Sequence, residues 1–126
     1  MKPFKISLIF LITFFAISSV AMADDFGWTR DFNIQAQADP AGFKARIATR
    51  FDLGDVQVNA VLSNFASPAD AYIVLRLGEI SGRPTSYALE KYRINKGKGW
   101  GILAKSLGIK PGSMEFHALK LSQDLY

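Results

Sequence analysis

Helix start and stop signals recur along the chain at short intervals, and they constrain its fold more than any other feature. Asp39-Pro40 and Ser67-Pro68 each place a side-chain oxygen directly before a proline, which is typical of the first turn of a helix. Gly108 follows a short apolar stretch, where helices commonly end in glycine. These signals leave room only for short elements. The sequence therefore predicts an all-α fold, a compact bundle of five or six short helices joined by turns of two to five residues.

The segment around the first of these signals is compatible with two structures. Phe43, Ile47 and Phe51 recur every four residues, which predicts the apolar face of a helix. The residues just before the proline alternate apolar and polar side chains, and the proline also suits a type I turn. A short N-terminal β-hairpin over residues 34–47 is therefore the alternative. We favour the helix because the four-residue spacing runs longer than the alternation.

Two further segments make specific predictions about the fold. Residues 71–77 are apolar on nearly all sides, so we expect the helix that contains them to form the centre of the core. Nearer the C-terminus, apolar residues within 102–109 are followed by a tight turn and by Ser113, a good helix cap. This order predicts a helix-turn-helix-like C-terminal pair, a common structural unit of all-α proteins.

The first 23 residues have the three parts of a secretory signal peptide. Lys2 and Lys5 give a basic start, residues 6–20 form an apolar run without charge, and Ala21-Met22-Ala23 fits an A-x-A cleavage site. The apolar run has about 15 residues, fewer than the roughly 20 that a membrane-spanning helix needs. We therefore expect cleavage near Ala23, no stable membrane anchor afterwards, and a periplasmic or extracellular location.

The residues after this site are predicted to form one domain, since they contain no linker and no low-complexity tract. We divide them into a lead-in segment at 24–38, a single helical domain at 39–121 and a tail at 122–126. The lead-in shows too little periodicity for us to predict a helix there. The tail follows the last helix, so we expect it to fray.

Several chemistries are improbable for this chain. It contains no cysteine, which excludes thiolate catalysis, iron–sulfur clusters and cysteine zinc sites. His117 is the single histidine, and a lone histidine makes a poor metal site. Asp52, Asp55, Asp70 and Glu79 are the carboxylates that could act in acid–base catalysis, but helix capping explains three of them. We therefore expect no cofactor, no metal and no enzymatic activity; a hydrolase using His117 is a minor alternative.

Charge is unevenly distributed, and this asymmetry points to one candidate site. Residues 24–82 carry a net charge of −3, whereas residues 83–126 carry +5. The segment 96–101, KGKGWG, combines lysines with glycines that permit close approach of a ligand and with an aromatic face. A flexible turn with a buried tryptophan is the simpler interpretation. The candidate residues for binding an anion or an acidic partner are Lys96, Lys98, Trp100, Lys105 and Lys110.

These features together favour an exported, non-enzymatic binding module for an acidic protein or an anionic polymer of the cell envelope. A self-associating structural envelope protein is one alternative, if Phe26, Trp28 and Phe32 form an exposed patch rather than pack onto the domain. An extracellular nucleic-acid binder is another. Chromosomal DNA is excluded by the export signal, and the helix after Pro111 has few base-reading side chains.

Six segments of the chain are distinctive: SPADAY at 67–72, LRLGE at 75–79, SGRP at 81–84, GKGWG at 97–101, AKSLGIKPGS at 104–113 and EFHALK at 115–120. They resemble a family of small secreted bacterial proteins of unknown function. The resemblance covers most of the chain after the signal peptide and is most specific in its last third. It implies a periplasmic or extracellular setting in a Gram-negative bacterium, and it implies no activity, cofactor or site residue.

Overall fold

Seven short α-helices account for most of residues 25–126, the part of the chain that the computed structural model describes. No strand occurs among these residues, so the prediction of an all-α fold is confirmed. The expected signal peptide lies outside the described residues. In chain order the helices are α1 (Thr29–Ala38), α2 (Pro40–Phe51), α3 (Asp55–Leu62), α4 (Pro68–Ser81), α5 (Thr85–Asn95), α6 (Trp100–Ser106) and α7 (Met114–Leu121).

Helix α1 lies where the sequence predicted an irregular lead-in or one arm of a hairpin, and both of those interpretations are wrong. Phe32 and Ala36 are four residues apart and buried, whereas Ile34 between them is 57% exposed. The segment thus has the four-residue spacing of a helix, although its apolar and polar side chains also alternate. Asp39 then ends α1 and caps α2, since its carboxylate accepts a hydrogen bond of 3.0 Å from the Gly42 N–H. The helix favoured for the residues after Asp39 is confirmed.

Helix α4 is the central helix of the core, as its apolar sequence predicts. The Ser67 hydroxyl accepts a hydrogen bond from the Asp70 N–H at 3.2 Å and so caps its first turn. Gly82 ends the helix in the left-handed conformation, with φ of 69°. Helices α1, α3, α5 and α7 all pack against α4. None of the helices in residues 25–126 is both long and apolar enough to cross a membrane.

The approach between α4 and α5 depends on a small residue. A Cβ atom at Gly78 would lie 3.2 Å from the Ala88 Cβ, so a larger residue there would push the two helices apart. These two helices share the most extensive helix–helix contact among the described elements. Their close packing brings the first turn of α4 beside the last turns of α5, where the candidate site lies.

The C-terminal pair departs from helix-turn-helix geometry. Residues 107–113 separate α6 from α7, whereas the motif uses a turn of three or four residues. Helix α6 packs mainly on α5, and α7 packs mainly on α4. The exposed side chains of α7 are those of Met114, Glu115, His117, Ala118 and Leu121, and of these only His117 can donate a hydrogen bond to a DNA backbone or base edge. This arrangement does not favour DNA binding by α7.

The tail does not fray as the sequence suggested; it packs onto the domain. Leu125 is 6% exposed, and the Tyr126 ring meets the Phe32 ring edge-on with centroids 5.3 Å apart. The guanidinium of Arg46 lies over the Tyr126 ring at 4.9 Å, and its Nη1 donates to the Leu125 carbonyl oxygen. Apolar burial therefore orders the last residues, which local sequence rules assign to a mobile end.

A polar cluster also fastens the tail to the core. The buried Tyr72 hydroxyl donates to Asp124 Oδ1 at 2.6 Å and accepts hydrogen bonds from Arg76 Nη1 and from the Asp124 N–H. Arg50 donates two hydrogen bonds to Glu79, at 2.7 and 2.8 Å, and one to Asp124 at 3.0 Å. Such bidentate, charge-assisted bonds are stronger than neutral ones.

The pKa values of this cluster follow from these contacts. The hydrogen bonds from Arg50 lower the pKa of Glu79 below its ordinary value of 4.5. Burial alone would raise the pKa of Asp124, but the hydrogen bonds from Arg50 and Tyr72, together with the charges of Arg76 and Arg50, lower that pKa below its ordinary value. Burial, together with the hydrogen bond to Asp124, raises the pKa of Tyr72.

Acid should weaken the fold through Glu79 and Asp124. A carboxylate whose pKa is lower in the folded chain stabilises it fully above the ordinary pKa, and that contribution is lost as pH falls through the folded value. We expect the free energy of unfolding to decrease below about pH 4.5, by about 1 kcal/mol from this cluster, because both groups are half exposed to solvent. Urea unfolding at pH 6 and pH 3 measures the change. Glu79→Gln should flatten this pH dependence, and an equally steep dependence in that variant would contradict the assignment.

Candidate functional site

The loop between α5 and α6, residues 96–99, is held in a conformation that its glycines permit. Gly97 and Gly99 have φ values of 82° and 98°, a left-handed region that other residues rarely adopt. The Lys98 N–H donates to the Asn95 carbonyl oxygen at 3.0 Å. The alternation of lysine and glycine thus lets the backbone turn while Lys96 supplies one exposed side chain and Lys98 the other. We call residues 96–99 the lysine loop.

The charges of the lysine loop are not neutralised within the described part of the chain. Neither Lys96 nor Lys98 lies within ion-pair distance of a carboxylate among residues 25–126. The arginines of the tail cluster contrast with them, since Arg50 and Arg76 both contact Glu79 and Asp124. Two adjacent, exposed cations at one turn attract anions from solution.

Trp100 follows the lysine loop and begins α6, where it is half-buried. Its ring centroid lies 6.2 Å from that of Phe26 and 6.3 Å from that of Tyr92, with the Tyr92 ring nearly parallel at 17°. Tyr92 in turn stands 4.8 Å from Phe65. Trp100 therefore packs on the domain, as the simpler interpretation expected, while part of its ring also lines a cleft.

This cleft of about 300 Å³ lies beside the lysine loop, between the first turn of α4 and the end of α5. Its wall combines the aromatic rings of Tyr92 and Trp100 with the polar side chains of Asp70 and Asn95, and the two glycines of the lysine loop complete the rim. Burial raises the pKa of Tyr92, and the negative charge of Asp70 raises it further. The carboxylate of Asp70 is therefore close enough to the Tyr92 hydroxyl to affect its ionisation.

Two hydrogen-bond acceptors in the cleft have no donor within residues 25–126. The Asp70 carboxylate forms no hydrogen bond and no ion pair with a described residue. Asn95 Nδ2 donates to the Lys91 carbonyl oxygen at 2.8 Å, and its Oδ1 receives no bond from the described residues. Both acceptors are available to a ligand that carries donors.

The sequence did not indicate Tyr92 or Asn95 as parts of a site, and it indicated Asp70 only as a possible acid–base carboxylate. Asp70 has a sufficient explanation as a first-turn acid of α4, and Tyr92 has one as part of an apolar helix face. Asn95 lies 25 residues after Asp70 in the sequence, so no local spacing links them. The nearby KGKGW segment was the one signal that pointed to this end of the molecule.

The remaining two candidate lysines lie elsewhere. Lys105 is exposed on α6, five residues after Trp100, so the two side chains leave the helix about 140° apart. Lys110 is exposed in the turn between α6 and α7. Neither lines the cleft. Lys96 and Lys98 alternate with the two glycines that line it, directly before Trp100, whereas Lys105 and Lys110 lie in other parts of the chain.

Comparison of the chain with protein-family models, with curated proteins and with solved structures finds no match. The resemblance to small secreted bacterial proteins thus remains a prediction. Function has to be argued from the side chains themselves.

His117 offers little for catalysis in this arrangement. It lies on the exposed surface of α7, and its side chain forms no hydrogen bond with the residues that the structure describes. No group of three metal-ligating side chains occurs within residues 25–126. The hydrolase alternative therefore lacks a supporting contact at His117.

The aromatic patch suggested for self-association is not exposed. Phe32 is 1% exposed, and Phe26 and Trp28 pack against the core. Trp28 Nε1 donates to the Leu119 carbonyl oxygen at 2.9 Å, which anchors this end of the chain to α7. The expectation that these three residues pack onto the domain is confirmed, and the feature that favoured a self-associating protein is absent from them.

Proposed function

We propose that this protein is an exported, non-enzymatic binding module whose lysine loop binds an acidic partner, either an acidic protein or an anionic polymer of the cell envelope. The observation that carries the proposal is the contrast between cations. Arg50 and Arg76 form ion pairs with Glu79 and Asp124, whereas Lys96 and Lys98 are exposed at one turn with no carboxylate of the described residues within ion-pair distance. An external anion can bind there without first displacing an internal one.

The export part of the proposal rests on the signal-peptide pattern of residues 1–23. Cleavage after Ala23 would deliver the helical domain to the periplasm or the exterior, where acidic glycans and acidic proteins are accessible and chromosomal DNA is not. Purification of the protein from fractionated cells tests this part. Protein purified from the periplasmic fraction should have the mass of residues 24–126, and a full-length chain confined to the cytoplasm would contradict export.

The partner-binding role predicts a strong salt effect and a strong effect of charge reversal. We expect residues 24–126 to bind polygalacturonate or polyglutamate, and the affinity to decrease steeply between 50 and 300 mM NaCl, because exposed charges are screened. Lys98→Glu replaces an attraction by a repulsion, so it should weaken binding about tenfold at the lower salt. Isothermal titration calorimetry measures both effects.

Lys44→Glu is the matched control for this experiment. Lys44 is also exposed, but it lies on α2 and not in the lysine loop. The net charge changes equally in both variants, so a general charge effect would weaken binding equally in both. Equal losses, binding that does not respond to salt, or no binding to either polymer would contradict the proposal.

A further inference from the structure

The cleft beside the lysine loop has the size of a small-molecule site rather than of a protein–protein groove. Its volume of about 300 Å³ accommodates one ring-sized group of a ligand. Trp100 provides an apolar face on its wall, and Leu103 also lines it. The C–H face of a pyranose ring can pack on such an aromatic surface and remove apolar area from water.

The polar atoms of the cleft are complementary to a ligand that donates hydrogen bonds. The carboxylate of Asp70 and the Oδ1 atom of Asn95 are acceptors, and neither receives a bond from a described residue. Hydroxyl groups satisfy such acceptors, and a hydroxyl bound to a carboxylate forms a strong, charge-assisted bond.

The negative charge in the cleft and the positive charges beside it favour different parts of a ligand. The carboxylate of Asp70 would repel an aspartate or glutamate side chain that entered the cleft, but it would not repel a hydroxyl group. Lys96 and Lys98 alternate with the two glycines that form the rim, and their charges attract anions beside the cleft. A ligand that suits both places has a hydroxylated ring with acidic substituents.

We infer that the cleft binds a sugar ring of an acidic polysaccharide, with the ring against Trp100, its hydroxyl groups donating to Asp70 and Asn95, and its acidic groups beside Lys96 and Lys98. This inference rests on the proposed function and narrows the acidic partner to a glycan. An acidic protein is the competing outcome of the test.

The test compares two ligands of equal charge by nuclear magnetic resonance on ¹⁵N-labelled residues 24–126. One ligand is trigalacturonate, and the other is triglutamate with an acetylated N-terminus and an amidated C-terminus, so that each carries three carboxylates. The chain has two tryptophans, and therefore two indole N–H signals. We expect trigalacturonate to shift the signal of Trp100 and to leave that of Trp28, which is bonded to Leu119, in place.

A substitution in the cleft tests the hydrogen bond. Asn95→Ala removes an acceptor without changing the charge, and it should weaken polygalacturonate binding about fivefold, the effect of one neutral hydrogen bond. Asn59→Ala, at an exposed site on α3, is the matched control and should leave affinity unchanged. Thermal unfolding of both variants checks that they fold, and the wild-type indole shifts do not depend on either variant.

The outcomes separate this inference from the proposed function. Suppose that triglutamate shifts Trp100 as much as trigalacturonate does, or that Asn95→Ala leaves polygalacturonate binding unchanged while Lys98→Glu weakens it. The glycan assignment is then overturned and the lysine loop remains a site for acidic partners. If neither ligand binds, both the inference and the proposed function are overturned.

Discussion

Replacing Phe32 with alanine is expected to lower the free energy of unfolding by about 3–5 kcal/mol. Phe32 is 1% exposed, and its ring lies within 6 Å, centroid to centroid, of four other aromatic rings. Truncation would leave a cavity where α1, α2, α4 and the C-terminal tail meet. The four neighbouring rings are those of Trp28, Phe43, Tyr72 and Tyr126.

Ile34→Ala is the matched control on the same helix. Ile34 is 57% exposed, so its truncation leaves no cavity in the core. Alanine also has a slightly higher helix propensity than isoleucine. We expect a change within about 0.5 kcal/mol. Urea unfolding followed by circular dichroism measures both variants. Equal, small losses would mean that α1 is a loosely attached lead-in segment, as the sequence first suggested, and not a part of the core.

The second large effect is expected where the tail meets the core. Tyr72→Phe removes a buried hydroxyl that Asp124 and Arg76 both contact, and Asp124→Ala removes its acceptor. We expect each substitution to lower the free energy of unfolding by about 1–2 kcal/mol. Because the two groups bond to each other, the double variant should lose about 1 kcal/mol less than the sum of the single losses.

Tyr87→Phe is the control for loss of a hydroxyl group. Tyr87 is half-buried, and its hydroxyl forms no hydrogen bond with the residues at 25–126, while Arg83 lies over its ring at 5.0 Å. Removal of this hydroxyl should change stability by less than about 0.5 kcal/mol. Additive losses for Tyr72→Phe and Asp124→Ala would show that the tail is not held through this bond, and would leave Leu125 and Tyr126 as its anchors.

The comparison of α1 with α4 shows why one helix was predicted and the other was missed. Helix α4 begins with a cap and a proline, Ser67-Pro68, and both act within one turn of the chain. Helix α1 follows Trp28 and has no side-chain cap. Its Phe32 and Ala36 are recognisable as a buried face only once α4 lies against them. The helix depends on its partner rather than on a local signal.

The same difference between local signals and long-range packing explains why the sequence did not predict the anchored tail or the cleft. Asp124 and Tyr72 are 52 residues apart in the chain, and Asp70 and Asn95 are 25 apart, so neither pair leaves a periodic trace. Each pair meets because α4 lies at the centre of the bundle and receives neighbours on several sides. No rule of spacing within one element predicts such a meeting.

By itself, the sequence determined the all-α class, the beginnings of the capped helices and the turn that exposes Lys96 and Lys98. Those features depend on contacts within three or four residues, such as the Ser67 cap and the left-handed glycines of the lysine loop. Only the tertiary structure decided that Asp70 and Asn95 face one cleft beside Trp100, and that the last residues are anchored. Helix packing brings these groups together from distant parts of the chain, and burial rather than local backbone preference holds them there.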